Sequence, residues 1–226
     1  MSQGLQRVRV WDLPTRLFHW VLAGAVITSV ITAKIGGNAM TWHFRCGYLV
    51  LTLLVFRLLW GFCGGHWSRF RSFLFAPATL MRYLRNQAAP GEHLDVGHNP
   101  VGAGSVFALL FILCAQVGSG LFADDEIASS GPLVKFVSGV TSTLLTGWHK
   151  NFGQWIIITL IVLHVGAILF YRFRKGRNLI VPMLTGDKLL EPGVPVSADG
   201  LRNRLAAALL AALCAAGVGW LVSLGA

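Results

Sequence analysis

The chain alternates between long apolar stretches and shorter polar connections. Five apolar stretches are long enough to cross the hydrocarbon core of a membrane, which takes about 20 helical residues. We therefore predict transmembrane helices over residues 16–33, 44–63, 101–123, 152–171 and 205–224. The composition agrees, because 54% of the 226 residues are hydrophobic and only 12% are charged, about half the charged fraction of a soluble domain. The predicted fold class is all-α, an integral membrane helical bundle.

The connections between these stretches suggest secondary features. The first apolar run is too long for a cleavable signal peptide, so we expect it to remain as the first helix. Residues 72–86 interleave aromatic and basic side chains and predict a short surface helix, which Pro77 interrupts or restarts. Residues 133–145 are too polar and too short to span, and suit a cap on the outer surface. Residues 189–200 are rich in Pro and Gly and predict a flexible linker.

The positions of the basic residues predict the orientation of the helices. Cytoplasmic loops carry an excess of Lys and Arg. The connections predicted to be cytoplasmic carry fourteen of the 19 lysines and arginines, namely Arg7, Arg9, Arg16, Arg69, Arg71, Arg82, Arg85, Arg172, Arg174, Lys175, Arg177, Lys188, Arg202 and Arg204. The other side carries only Lys34, Arg45, Lys135 and Lys150. The N-terminus is therefore predicted to be cytoplasmic, and the net charge of +10 indicates binding to anionic lipid rather than to nucleic acid.

Four histidines lie near the ends of the apolar stretches and pair at two depths of this topology. His19 and His164 share the cytoplasmic level, and His43 and His149 share the outer level. A buried imidazole needs partners for its nitrogens, and haem iron is a partner that two facing imidazoles can share. The fourth predicted helix carries two of these histidines 15 residues apart, roughly 22 Å of rise and 60° of rotation. We predict two haems, held without thioether links because no Cys-x-x-Cys-His sequence is present.

Two other interpretations of the histidines stay open at this stage. A single histidine at a helix end is more often an interfacial or hydrogen-bonded residue than a ligand. A haem-free transporter or a metal or proton relay could also use histidines inside a membrane. The joint pairing of four positions favours the haem interpretation.

Arg57 is the one basic residue well inside an apolar stretch. A guanidinium there needs an anionic or carbonyl partner. It follows His43 by 14 residues, which places it roughly 21 Å deeper on nearly the same helix face. A propionate of the inner haem would satisfy it, and extension of the side chain toward the cytoplasmic headgroups would serve equally well.

The sequence also resembles a known family, the bacterial cytochrome b-561 proteins, which include the b-type subunits of nickel-iron hydrogenases. The resemblance is carried by VWDLPTRLFHW at 10–20, HFRCGY at 43–48, FRLLWGF at 56–62, HNP at 98–100, WH at 148–149, LH at 163–164 and MLTGDK at 183–188. It implies four core helices that hold two b-type haems, with the ligand pairs His19/His164 and His43/His149. Lys150, where an acidic residue often stands, and Asp187, where a basic one is common, depart from the pattern.

The resemblance implies a function in electron transfer between membrane quinones and a periplasmic redox protein. The partner could be a c-type cytochrome, a hydrogenase or another redox protein, and self-association into a homo-oligomer stays open. We expect a di-haem domain over residues 1–188 and a linker with an accessory fifth helix over 189–226, in the bacterial inner membrane. The protein would be an electron-transfer component of a quinone-linked oxidoreductase, and His66, Arg69 and His98 are the first candidates for a quinone site.

Overall fold

The computed structural model describes residues 4–87, 92–127 and 129–225. In chain order, its helices and strands are β1 (Gln6–Arg9), α1 (Leu13–Ile35), α2 (Met40–Cys63), α3 (Pro77–Leu84), α4 (Pro100–Gly120), α5 (Gly139–Gly147), α6 (Gln154–Arg174), α7 (Ile180–Thr185), β2 (Asp187–Leu190) and α8 (Leu201–Ser223). A π-helical segment, Trp148–Gly153, joins α5 to α6.

Five helical segments of the described chain are long and apolar enough to cross a membrane. Each contains most of one predicted stretch, which confirms the prediction of an all-α membrane bundle. Asn99 caps α4, because its side-chain oxygen accepts the backbone N–H of Gly102 at 2.7 Å and Pro100 is the first residue of the helix. Pro77 likewise begins the short helix α3, so it restarts the surface segment rather than interrupting it.

The fourth spanning segment differs from the prediction. Helical structure runs without a break from Gly139 to Arg174, through the π segment, whereas the sequence predicts a helix start at residue 152 and a separate surface cap before it. The backbone at 139–147 is helical because Ser138 caps it, accepting the N–H of Thr141 at 3.2 Å. A π turn takes about one residue more than an α turn, so the rotation of roughly 60° between His149 and His164, which assumes a regular α-helix, does not apply to this segment.

One compact unit comprises Met1–Leu17, Arg57–Ala108 and Leu163–Ala208. Strands β1 and β2 pair antiparallel in it, from Gln6 opposite Leu190 to Arg9 opposite Asp187, and the sequence analysis did not predict this ribbon. Its buried core is apolar and consists of Val8, Val10, Trp11, Trp67, Val96 and Val194, with Met183 and Leu190 packed against it.

The segment after β2 belongs to this core and is not the flexible linker that its composition predicts. The Ser197 hydroxyl donates to the backbone oxygen of Val10 at 2.6 Å, and the indole N–H of Trp67 donates to the oxygen of Pro195 at 2.7 Å. Val194 is buried. These nonlocal contacts give the Pro- and Gly-containing stretch a defined path.

A turn at Gly186 brings β2 against the start of α1. Gly186 has φ of 92°, the left-handed conformation that favours glycine. Its carbonyl oxygen accepts the backbone N–H groups of Val10 and Trp11 at 2.8 and 3.0 Å. A Cβ here would lie 2.7 Å from the oxygen of Trp11, so the close approach also requires glycine.

The second compact unit comprises Phe18–Phe56, Leu109–Val162 and Leu209–Ala226. It contains the end of α1, the start of α2, the end of α4 and the π segment. The connection after α4 packs on α5, because the hydroxyl of Ser142 donates to the oxygen of Phe122 at 2.8 Å and the N–H of Asp124 donates to Thr146 Oγ1 at 2.9 Å. This unit contains the cavity described below.

Candidate functional site

The structure brings His43 and His149 together within the second unit. His43 lies in the first turn of α2, and His149 is the second residue of the π segment. Their ring centroids are 5.9 Å apart and their ring planes are inclined at 84°. Two imidazoles bonded to opposite sides of one metal ion at about 2 Å per bond have ring centres roughly 6 Å apart, so the spacing suits a shared iron.

Both imidazoles are held in the same tautomer by backbone carbonyls. His43 Nδ1 lies 2.9 Å from the oxygen of Ser29, and His149 Nδ1 lies 2.8 Å from the oxygen of Gln116. A carbonyl oxygen only accepts, so each Nδ1 carries the proton and each Nε2 keeps a lone pair. This arrangement is the usual one for a metal-bound histidine, whose second nitrogen donates to a carbonyl or carboxylate.

A cavity of about 950 Å³ includes both imidazoles in its lining, which is at the upper end of the usual range for cofactor sites. Gly47, one helical turn after His43, also lines it. A Cβ on Gly47 would meet no atom within 4 Å, so a side chain there would occupy cavity space. The residues present therefore fit a large planar group ligated by two histidines.

Two residues of α4, Gln116 and Gly120, lie against His149 and its backbone. The Gln116 side-chain N–H donates to the backbone oxygen of His149 at 2.8 Å, within the π segment, where the helical hydrogen-bond pattern changes. Gly120 lies beside the ring, and a Cβ there would be 2.7 Å from His149 Cε1. Sequence reasoning missed both residues, although a glutamine inside an apolar stretch was an available signal.

His19 and His164 fall in different compact units. His19 lies on α1 and His164 on α6. Their pairing as a second ligand set stays a prediction.

Arg57 is buried within the first unit, with a relative exposure of 3%. Its guanidinium carbon lies 4.8 Å from the centre of the Phe70 ring, and its Nη1 has no hydrogen-bond partner among the described residues. A buried guanidinium nitrogen normally has an acceptor. The site can therefore take an anionic group, as the propionate prediction requires.

A model of one protein family matches most of the chain. The family is described as prokaryotic cytochrome b561, and the match covers residues 10–186 of 226. This chain belongs to the prokaryotic cytochrome b561 family. It is a b-type cytochrome of electron transport and a multi-pass bacterial membrane protein.

Curated relatives of this cytochrome are named as probable Ni/Fe-hydrogenase B-type cytochrome subunits. The protein of Bradyrhizobium diazoefficiens is 22% identical over 82% of this chain and 87% of its own length. That of Azotobacter chroococcum is 25% identical, with coverage of 83% and 91%. A relative from Escherichia coli, named as a subunit of Ni/Fe-hydrogenase 1, is 24% identical, with coverage of 78% and 88%. No solved structure matches the chain significantly.

The residues proposed for a quinone lie in the first unit of the cytochrome. The His98 ring packs between Trp11 and Phe73, at centroid distances of 4.7 and 4.6 Å. Burial, together with the charges of Arg69 and Arg71, lowers the pKa of His66, which favours the neutral imidazole. A neutral imidazole can both donate and accept a hydrogen bond, which is compatible with a quinone oxygen as a partner.

Proposed function

We propose that this cytochrome carries electrons across the bacterial cytoplasmic membrane, between the quinone pool and a periplasmic redox protein, with two b-type haems bound in the bundle. The observation that carries the proposal is the His43–His149 pair. Two imidazoles at ligand spacing, each with Nδ1–H donated to a backbone carbonyl, line a cavity of cofactor size.

In this proposal His43 and His149 hold the outer haem, and His19 and His164 hold the inner one. A bound haem supplies one-electron redox chemistry at its iron, which no protein side chain here provides. The chain supplies ligands and their orientation. Ser29 and Gln116 keep both outer imidazoles in the ligating tautomer, and Arg57 offers positive charge beside the inner site.

The orientation belongs to the same proposal. Most of the basic residues lie in connections assigned to the cytoplasm by the excess of positive charge. This places the N-terminus in the cytoplasm and His43 and His149 toward the periplasm. The outer haem would then exchange electrons with a redox partner in the periplasm.

The periplasmic partner that the relatives suggest is a hydrogenase, because they are named as hydrogenase cytochrome subunits. A periplasmic c-type cytochrome or another dehydrogenase would use the same outer site. His66, Arg69 and His98 are the residues to substitute first for a quinone site on the opposite face.

Optical spectroscopy of the purified protein tests the proposal. Bis-histidine b-type haem gives sharp bands on reduction, and addition of a quinol should reduce part of the haem anaerobically. The pyridine haemochrome assay should count two haems per chain, all removed by acid acetone. A protein that purifies without haem, as a transporter would, contradicts the proposal, and a haem that no quinol reduces contradicts the quinone link.

A further inference from the structure

Two lysines stand at the edge of the cavity that His43 and His149 line. Lys34 lies in the last turn of α1, and Lys150 directly follows His149 in the π segment. Both lysines line the cavity and both are exposed. The positive charges are therefore at a rim that solvent can reach.

The lining of the cavity changes from apolar to polar along α1. Val30 and Val26 line the cavity one and two helical turns before Lys34, or roughly 6 and 12 Å back along the helix axis. Asn38 and Thr41, which follow α1, also line it. The lining is thus apolar along the helix and polar with two cations near its end.

Neither lysine forms an ion pair within the described part of the chain. Asp124 and Asp125 line the same cavity, but their carboxylates accept backbone N–H groups of their own loop at 2.8–3.0 Å. The Lys34 ammonium lies 5.9 Å from the centre of the Trp155 ring. Both ammonium groups are thus available to an anion in the cavity.

Haem has an apolar macrocycle with two carboxylates on one edge, which matches a cavity with apolar walls and two lysines, free of ion pairs among the described residues, at its edge. We propose that Lys34 and Lys150 bind the propionates of the haem held by His43 and His149. The inference rests on the proposed function. In this arrangement the carboxylate edge of the haem lies at the edge of the cavity near the end of α1. The two lysine charges there favour the reduced state of the haem.

Redox titration of the double variant Lys34→Met/Lys150→Met tests this. We expect the midpoint potential of one haem to fall by about 30–60 mV, a threefold to tenfold loss in its reduction equilibrium at 59 mV per tenfold. Lys135→Met is the matched control, because Lys135 lies over the Phe136 ring and does not line the cavity. The charge-preserving variant Lys34→Arg/Lys150→Arg should keep the wild-type potential.

Each outcome decides between the alternatives. A lowered midpoint potential in the methionine variant supports the inference. Loss of one haem from the methionine variant also supports it, provided that the arginine variant keeps both haems. An unchanged potential at full occupancy overturns it, and so does loss of the haem from both variants. Wild-type protein without haem would instead contradict the proposed function itself.

Discussion

The ring of His149 can lie against α4 because residue 120 is a glycine. A Cβ at this position would be 2.7 Å from His149 Cε1 and 3.0 Å from Nδ1. The latter atom donates to the Gln116 carbonyl and so sets the ligating tautomer. A single methyl group should therefore disturb the outer ligand pair without removing either ligand.

Gly120→Ala is predicted to weaken binding of one haem. The added methyl must displace the imidazole by several tenths of an ångström, and ligation depends on placement within about 0.5 Å. The haemochrome assay should show loss of up to one haem per chain, or a shifted potential for it. Gly118→Ala is the matched control on the same helix, since a Cβ there meets no atom within 4 Å; equal haem content and potentials in the two variants would contradict the prediction.

Arg57→Leu is predicted to lower the midpoint potential of the inner haem. Removing a buried positive charge beside a propionate destabilises the reduced state by about 1–3 kcal/mol, or roughly 40–130 mV. Redox titration should show that the midpoint potential of the outer haem is nearly unchanged. The variant Arg57→Lys retains the positive charge, so the midpoint potential of its inner haem should stay close to the wild-type value.

A control for Arg57 is Arg45→Leu, because Arg45 lies over the Trp42 ring in the second unit. Arg45→Leu should leave the midpoint potential of the inner haem unchanged. If Arg57→Leu has full haem content and an unchanged inner potential, the propionate assignment is wrong, while the histidine pairing survives.

At the scale of elements, the start of α1 depends on one buried carboxylate. Asp12 is fully buried and caps the helix by accepting the N–H of Thr15 at 2.8 Å. It also accepts the N–H of Gly65 and the hydroxyl of Ser68, both at 2.8 Å. One side chain therefore joins the start of α1 to the segment that follows α2.

Asp12→Ala is predicted to destabilise the protein by about 3 kcal/mol, because it removes a helix cap and leaves buried donors unpaired. Thermal denaturation in detergent should show a midpoint lower by roughly 6–12 °C. Asp187→Ala breaks a partly exposed ion pair with Arg9 and should cost less than about 1 kcal/mol. Equal midpoints for the two variants would refute the role given to Asp12.

The elements that the sequence predicts correctly are those specified by local patterns. Apolar runs of spanning length locate the five long helices, and Pro77 marks the start of the short helix α3. The β1–β2 ribbon and the packed path after β2 depend on partners some 180 residues away, which no local pattern reveals. The π segment depends likewise on Gln116 of another helix.

The candidate site was also predictable only where local patterns and topology specify it. Charge asymmetry and helix order are enough to pair His43 with His149, and the structure brings their rings together. The carbonyls of Ser29 and Gln116 were not predictable, because any residue type presents a carbonyl. The sequence does not predict that Lys34 and Lys150 share a site, because the cavity forms only where α1, α2, α4 and the continuous helical segment Gly139–Arg174 come together.

At the scale of the whole molecule, we propose that four histidines form two separate haem sites in one membrane protein. The outer pair is supported by the spacing of its rings and by the carbonyl partners of both Nδ1 atoms, and the inner pair by topology and family resemblance. If the sites are independent, loss of one ligand removes one haem and leaves the other bound.

The most direct test is the haem content of single-ligand variants. We expect two haems per chain in the wild type and in the control variant His93→Ala, which changes an exposed histidine. We expect one haem in His43→Ala and in His149→Ala, with the same reduced spectrum and midpoint potential in both. Different remaining haems in these two variants, or two haems in either, would contradict the proposed pair.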